Sequence, residues 1–307
     1  MTEARSPAAT EPFDRLVADF LDHLQFERGL ARNTLDAYRN DMNQFGTYAA
    51  ERGLEPPTAS FEDLRSFVDT MIAAGASPAT VQRRTACLRT FYRHLRLEEI
   101  IDHDPTADLR APKLPQKLPQ VLSRGEVERL IASVSGDGPA DLRDRAMLEI
   151  LYSSGLRASE LADLNIGDVD LEAGFVRVTG KGGKQRIVPV GGAALKAVFR
   201  YLGNGRPSLA RNGQCRSLFI TQRGTKVTRQ VVYKTVTRCA AQAGLEGRAT
   251  THTLRHTFAT HMLAGGCDLR MVQEMLGHVD VSTTQIYTHL SAERLRDVFY
   301  EAHPRAA

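Results

Sequence analysis

Apolar residues recur at three- and four-residue spacing through the first hundred positions, which is the periodicity of amphipathic helices. The first stripe runs from Phe13 to Leu24. Residues that favour helix starts precede the other three stripes, namely Asn33, Ser60 with Asp63 three positions on, and Ser77 followed by Pro78. The pattern predicts a bundle of four helices over residues 11–100.

Three arginines lie together on one side of the fourth predicted helix. At 100° per residue, Arg89, Arg93 and Arg96 fall within about 60° of each other, beside the apolar face. Such a ridge suits contact with a phosphate backbone, but it is equally typical of a solvated helix face. Both interpretations stay open at this point.

Helical periodicity stops between Ile101 and Ser123, where the sequence is IDHDPTADLRAPKLPQKLPQVLS. Its prolines and polar residues predict an extended, semi-rigid linker over residues 101–122. At roughly 3 Å per residue, such a linker is long enough to hold two domains around a ligand that lies between them.

The remaining residues, 123–307, have a mixed pattern. Ser123 and Glu126 form a capping box, and a second helix stops at Gly155. The runs FVRV and RIVPV flank the turn TGKGGKQ and predict a β-hairpin, to which LFIT adds a third strand. Helical patterns resume at 228–244, 252–264, 268–276 and 291–301. The fold class expected is mainly α with a small β-sheet (α+β).

Composition narrows the class of protein. With 42% hydrophobic and 25% charged residues the chain is typical of a globular protein. No window approaches the roughly 20 apolar residues of a membrane helix, and the first residues lack the apolar core of a signal peptide, so a cytoplasmic protein is expected. The four cysteines are too far apart for C-x-x-C zinc or thioredoxin motifs.

Charge is distributed unevenly along the chain. Residues 1–110 contain 13 Lys/Arg and 18 Asp/Glu, a balance of −5, whereas residues 111–307 contain 27 and 18, a balance of +9. The basic C-terminal part is compatible with a polyanionic partner or with an ordinary solvated surface.

Two sequence patterns fall short of known motifs. His252 and His256 have the i, i+4 spacing of zincin ligands, but Thr253 stands where that motif has its catalytic Glu, so zinc is not expected there. GKGGK in the hairpin fails as a phosphate-binding P-loop, because Gln185 occupies its Ser/Thr position. His252 and Arg255, three residues apart, share one helix edge.

Four segments occur in a fixed order: GLRASEL, GKGGKQR, HTLRHTFATHML and LGHVDVSTTQIYTH. With LARNTLDAYRND near the N-terminus, the proline-rich linker and the closing AHPRA, the chain resembles the tyrosine recombinases, specifically the bacterial Xer branch, over nearly its whole length. The linker and N-terminal segments look more like XerD-type than XerC-type members. The resemblance implies a SAM-like core-binding domain linked to a tyrosine recombinase catalytic domain.

Carried over residue by residue, the resemblance implies a catalytic set of Arg157, Lys181, His252, Arg255, His278 and Tyr287. Tyr287 is then the nucleophile that forms a 3′-phosphotyrosyl intermediate, with His252 as candidate base and Lys181 as general acid. Forked guanidiniums suit the negative charge of the transition state. From Lys184 and Arg186 at most DNA-backbone contacts are expected, and neither a metal nor ATP is implied.

The resemblance also implies partners. These are double-stranded DNA with a dif-type site, a XerC-like paralogue in a heterotetramer on DNA, and an FtsK-type translocase. The apolar side of the last helix, with Leu295, Val298 and Phe299, is expected to dock into a neighbouring subunit in preference to packing on its own domain.

The function expected is resolution of chromosome dimers during cell division. Alternatives are a mobile-element integrase, of which the phage type is disfavoured by the short N-terminus, a type IB topoisomerase, and a non-catalytic DNA-binding protein with this fold. The intact catalytic set argues against the last.

Overall fold

The protein was analysed as a computed structural model, which describes residues 12–111, 120–180, 183–210, 215–277 and 289–306. The chain divides into two compact units, Met1–Lys117 and Leu118–Ala307. No helix among these described ranges is both long and apolar enough to cross a bilayer.

The N-terminal unit consists of four helices: α1 (Phe13–Phe26), α2 (Arg32–Glu51), α3 (Phe61–Ala73) and α4 (Pro78–Leu97). Their apolar stripes face one another, and aromatic rings dominate the core, where Phe20, Phe45 and Phe91 are fully buried. The predicted four-helix bundle is therefore confirmed. Arg89, Arg93 and Arg96 are exposed on α4, as the periodicity predicted.

Two of the three predicted caps are confirmed and one is wrong. Ser60 and Asp63 form a capping box, and the Ser77 side chain accepts from Thr80 N. Asn33 lies inside α2, whose N-cap is Ala31. Leu30 packs against the core and its N–H donates to Leu24 O, so tertiary packing starts the helix before Asn33 is reached.

The predicted linker is shorter than expected at both ends. Leu109 is buried in the core of the N-terminal unit, and Asp104 accepts hydrogen bonds from Thr106 N and Oγ1 in a compact turn. At the other end Leu122 is buried in the core of the C-terminal unit, and its N–H donates to Thr257 Oγ1. Because these apolar side chains are buried, residues that were predicted to be extended linker from their proline content belong instead to the two folded units.

The C-terminal unit has nine helices and three strands in its described residues: α5 (Arg124–Ala132), α6 (Pro139–Ser154), α7 (Ala158–Asp163), β1 (Val169–Asp170), β2 (Phe175–Thr179), β3 (Gln185–Pro189), α8 (Gly192–Arg200), α9 (Arg206–Leu209), α10 (Arg229–Gln242), α11 (Thr251–Ala264), α12 (Leu269–Leu276) and α13 (His289–Ala302). The sheet is antiparallel in the order β1-β2-β3. Helix α6 is central, since every residue from Ala146 to its end is buried.

The fold class and the hairpin are confirmed, but the third strand is not LFIT. Strand β1 takes that place, and Ile220 of LFIT makes only an isolated bridge to Lys226. Arginine side chains occupy carbonyls that a strand partner would need: Arg206 donates to Ser217 O and Leu218 O, and Arg143 donates to Ile220 O.

The last helix packs on its own domain. Leu295, Phe299 and Ala302 are buried in the core of the C-terminal unit. Beyond the helix, Gly192 N donates to Ala306 O at 2.8 Å, and Arg305 forms an ion pair with buried Glu149. In the single chain this apolar side is therefore covered by its own core, and docking into a neighbouring subunit stays a prediction.

Candidate active site

A left-handed glycine places the first predicted catalytic arginine. Helix α6 ends at Gly155, whose φ is 60°. A Cβ at this position would lie 2.4 Å from the Phe258 ring, so both the conformation and the contact require glycine. Two residues later Arg157 is the N-cap of α7, with its side chain 45% exposed.

Buried Glu160 lies at the centre of a cluster of arginines. Its Oε2 accepts from Arg157 N at 2.8 Å and its Oε1 accepts from Arg157 Nη1 at 3.0 Å. Arg186 donates to both carboxylate oxygens, each at 2.9 Å. Burial works to raise the pKa of Glu160, but the hydrogen bonds and charges of these arginines outweigh it and lower the pKa. Glu160 is therefore an anion that orients guanidiniums.

Arg255, on α11, joins the same cluster. Its Nη1 donates to Gly155 O at 2.8 Å and its Nη2 to Leu276 O at 2.7 Å, and Nη1 lies 3.9 Å from Glu160 Oε2. Burial, together with the positive charge of Arg157, lowers the pKa of Arg255 to about 10, so the guanidinium remains charged at neutral pH. The structure thus brings together two of the predicted catalytic residues, Arg157 and Arg255.

His252 lies three residues before Arg255, in the first turn of α11, and is exposed. The side chain of Thr250 caps this helix by accepting from Thr253 N. The predicted shared edge of His252 and Arg255 is present, since one helix carries both.

Arg186 is buried, which contradicts its expected role as a DNA-backbone contact. Only 7% of the residue is exposed, and its Nε donates to Met275 O at 2.8 Å while both Nη atoms bind Glu160. Because strand side chains alternate, β3 points Arg186 inward next to exposed Gln185. Lys184, by contrast, is exposed.

Two arginines hold the end of α12. Arg186 and Arg255 bind the carbonyls of Met275 and Leu276, the last two residues before left-handed Gly277. The Arg186 guanidinium packs so closely on Gly277 that a Cβ would lie 3.0 Å from Nη1. The chain is therefore fixed up to the residue that precedes His278.

Three predicted site residues, Lys181, His278 and Tyr287, lie outside the described residues. Their expected roles stay predictions.

Glu160 was not predicted from the sequence. A signal was available in GLRASEL, because a Glu three residues after Arg157 has the capping-box spacing. What that spacing does not reveal is the second arginine, Arg186, which comes 26 positions later and takes both carboxylate oxygens.

The described cluster is suited to an anionic ligand. Three guanidiniums surround one carboxylate, so the arrangement keeps excess positive charge, and Arg157 reaches the surface. Arginine forks match phosphate oxygens in geometry and stay charged. The cluster therefore has the charge and the donor groups that binding of a phosphate requires.

Comparisons with known proteins agree along the chain. Residues 120–294 match the phage integrase family, and residues 17–99 match its N-terminal SAM-like domain. The chain is 44% identical to the tyrosine recombinase XerD of Yersinia pestis, with 95% of this chain and 98% of that protein covered. It is 43% identical to XerD of Listeria monocytogenes, with 95% and 99% covered. Among solved structures it is similar in fold to a lambda integrase tetramer bound to a Holliday junction, at 18% identity and a TM-score of 0.67, with 97% of this chain and 82% of that chain covered.

Proposed function

This chain belongs to the phage integrase family of tyrosine recombinases, and from that premise we propose that it resolves chromosome dimers at a dif-type site during cell division. It is a site-specific DNA recombinase that acts through a tyrosyl intermediate. The proposed role in resolving chromosome dimers is supported by the similarity of this chain, over nearly its whole length, to proteins named XerD.

One observation carries the proposed chemistry: Arg157 and Arg255 converge on Glu160 beside the end of α12. In this proposal both guanidiniums bind non-bridging oxygens of the scissile phosphate, where negative charge accumulates in the transition state. His278 follows Gly277 directly in the sequence and donates a further hydrogen bond to the same phosphate.

The covalent step exchanges one phosphate ester for another. Tyr287 Oη attacks phosphorus and forms the O–P bond, while the bond from phosphorus to the deoxyribose 5′ oxygen breaks. His252 accepts the phenol proton, and Lys181 donates a proton to the leaving 5′ oxygen. Attack by the 5′ hydroxyl of another strand reverses these transfers, so the ester bond energy is retained and ATP is not needed.

The proposed partners follow from the need for four active sites around two duplexes. The named tetramer of lambda integrase on a Holliday junction supports such an assembly for this fold. We propose that this chain pairs with a XerC-like paralogue on double-stranded DNA and that an FtsK-type translocase activates the complex.

A covalent-trapping assay tests the proposal. The full chain and Tyr287→Phe are incubated in EDTA with a nicked duplex that carries the dif-type site of the source genome, and products are separated on a denaturing gel. We expect a protein–DNA adduct with the wild type only. Should no adduct form even with the paralogue and translocase domain present, the chain is a DNA-binding protein, and an adduct on mobile-element ends but not on dif makes it an integrase.

A further inference from the structure

The N-terminal unit contains a cluster of metal-ligating side chains that have no part in the proposed chemistry. His23 on α1 and His94 on α4 face each other, with ring centroids 4.8 Å apart. One ligand atom from each of these histidines and one from Glu98 lie within 4.8 Å of one another. This is a group of the imidazole and carboxylate donors that Zn²⁺ prefers.

Both histidines have unused ring nitrogens. His94 is only 6% exposed, and its Nδ1 is buried without a hydrogen-bond partner. His23 Nδ1 is likewise buried and without a hydrogen bond, although Glu27 Oε2 lies 3.1 Å away. An unpaired buried polar atom is costly, so each of these nitrogens has a coordination position to offer to a cation.

The sequence repeats the same pair on the two helices. HLQFE ends α1 and HLRLE ends α4, so each His has a Glu at i+4, on the same helix edge. Glu98 Oε1 lies 4.0 Å from His94 Nδ1. The two pairs together supply His23, Glu27, His94 and Glu98, the number of ligands in a tetrahedral site.

The local field also favours a cation. The histidines lie in the last turns of their helices, where the helix dipoles carry partial negative charge. A cavity of about 470 Å³ at this place is lined by Asp19, Asp22 and both glutamates and by no Lys or Arg, all within the described bundle.

We propose that His23, His94 and Glu98, with Glu27 as fourth ligand, bind a divalent transition metal of the Zn²⁺ class that fastens α1 to the C-terminal end of α4. Ligand atoms that lie about 2.1 Å from a tetrahedral metal are about 3.4 Å from one another. Modest side-chain rotations therefore bring the ligand atoms of His23, His94 and Glu98, now within 4.8 Å of one another, to the spacing that the metal requires. The metal fixes the helix that carries the exposed arginine ridge. The proposal does not rest on the proposed recombination function.

The test is a Zn²⁺ titration of the full chain after treatment with EDTA and dialysis, by calorimetry and by Co²⁺ absorption. One metal per chain is expected, with a cobalt spectrum that lacks thiolate charge transfer. Glu98→Gln and His23→Asn should each weaken binding at least about tenfold, because even outer-sphere partners contribute that much. Circular dichroism verifies that both variants keep the fold. Glu98→Gln is expected to do so because the Glu98 side chain is 52% exposed.

His256→Asn is the matched control, because His256 is exposed and forms an i, i+4 histidine pair with His252, outside the proposed metal site. It should bind Zn²⁺ as the wild type does, and saturating Zn²⁺ should raise the Tm of the wild type and of this control but not of His23→Asn. The proposal is overturned if the wild type binds no metal, if the cobalt spectrum shows thiolate ligands, or if Glu98→Gln and His23→Asn bind as tightly as the wild type.

Discussion

Replacing Glu160 by Gln changes one atom at the centre of the arginine cluster. The carboxylate accepts four hydrogen bonds, two from Arg157 and two from Arg186. In the Glu160→Gln variant one oxygen becomes an NH₂ group, which faces N–H donors instead of accepting from them. Either orientation of the amide loses two of the four bonds, and the arginines lose their shared counter-charge.

The expected cost is about 3–5 kcal/mol of unfolding free energy. Each lost bond to a charged group contributes about 1.5–3 kcal/mol, and breaking a buried ion pair costs about 3–5 kcal/mol. Glu160 is only 5% exposed, so solvent does not screen the loss. Because a domain has about 5–15 kcal/mol of stability in total, the effect is large.

Urea unfolding at neutral pH measures this cost, with Glu126→Gln as the matched control. Glu126 also caps a helix, accepting from Ser123 N at 2.8 Å, and pairs with Arg248 at 2.6 Å, but that arginine is 47% exposed. An ion pair that reaches solvent contributes little, so the control should lose about 1 kcal/mol or less.

The pH dependence gives a second check on Glu160. Its pKa is lowered in the folded protein, so its stabilising contribution is complete above the ordinary value of 4.5 and is lost as the pH falls below it. The gap between wild type and Glu160→Gln should therefore narrow in acid. A gap at neutral pH no larger than that of the Glu126→Gln control would refute the reasoning.

Three further predictions concern catalysis, pH and DNA. Arg255→Lys keeps the positive charge but loses the paired hydrogen bonds to Gly155 O and Leu276 O, so the rate of adduct formation on a nicked duplex should fall on the order of 10²-fold while the affinity for DNA is unchanged. An unchanged rate would contradict this. Burial lowers the pKa of His303 to about 3, so the free energy of unfolding should decrease as the pH drops below 6.5, the ordinary pKa of histidine, with a loss of about 2 kcal/mol at pH 5. In His303→Phe, urea unfolding should show a smaller decrease between pH 7 and pH 5, and an equally steep decrease in the variant would exclude His303 as the cause. If the arginine ridge of α4 contacts phosphates, Arg93→Ala should reduce by about 1 the slope of log affinity against log salt; the same slope as wild type would assign the ridge to solvent.

Local patterns in the sequence determined much of this fold. Ser60 with Asp63 and Ser123 with Glu126 predicted helix starts, because a capping box is complete within four residues. The glycine-containing turn between two β-rich runs predicted the hairpin, and Gly155 predicted the end of α6. In the site, the shared helix edge of His252 and Arg255 followed from their spacing alone.

Tertiary structure decided what depends on residues far apart in the chain. Arg186 belongs to a basic segment and reads as a DNA contact, yet the fold buries it because Glu160 and Met275 O, 26 and 89 positions away, satisfy its donors. Leu109 is buried in the core of the N-terminal unit, so the linker is shorter than predicted. Phe299 is buried in the core of the C-terminal unit, so the last helix packs on its own domain, and no local pattern reveals either contact. Hydrophobic burial and charge pairing act through space, so the sequence supplies these groups and only the folded chain determines which of them meet.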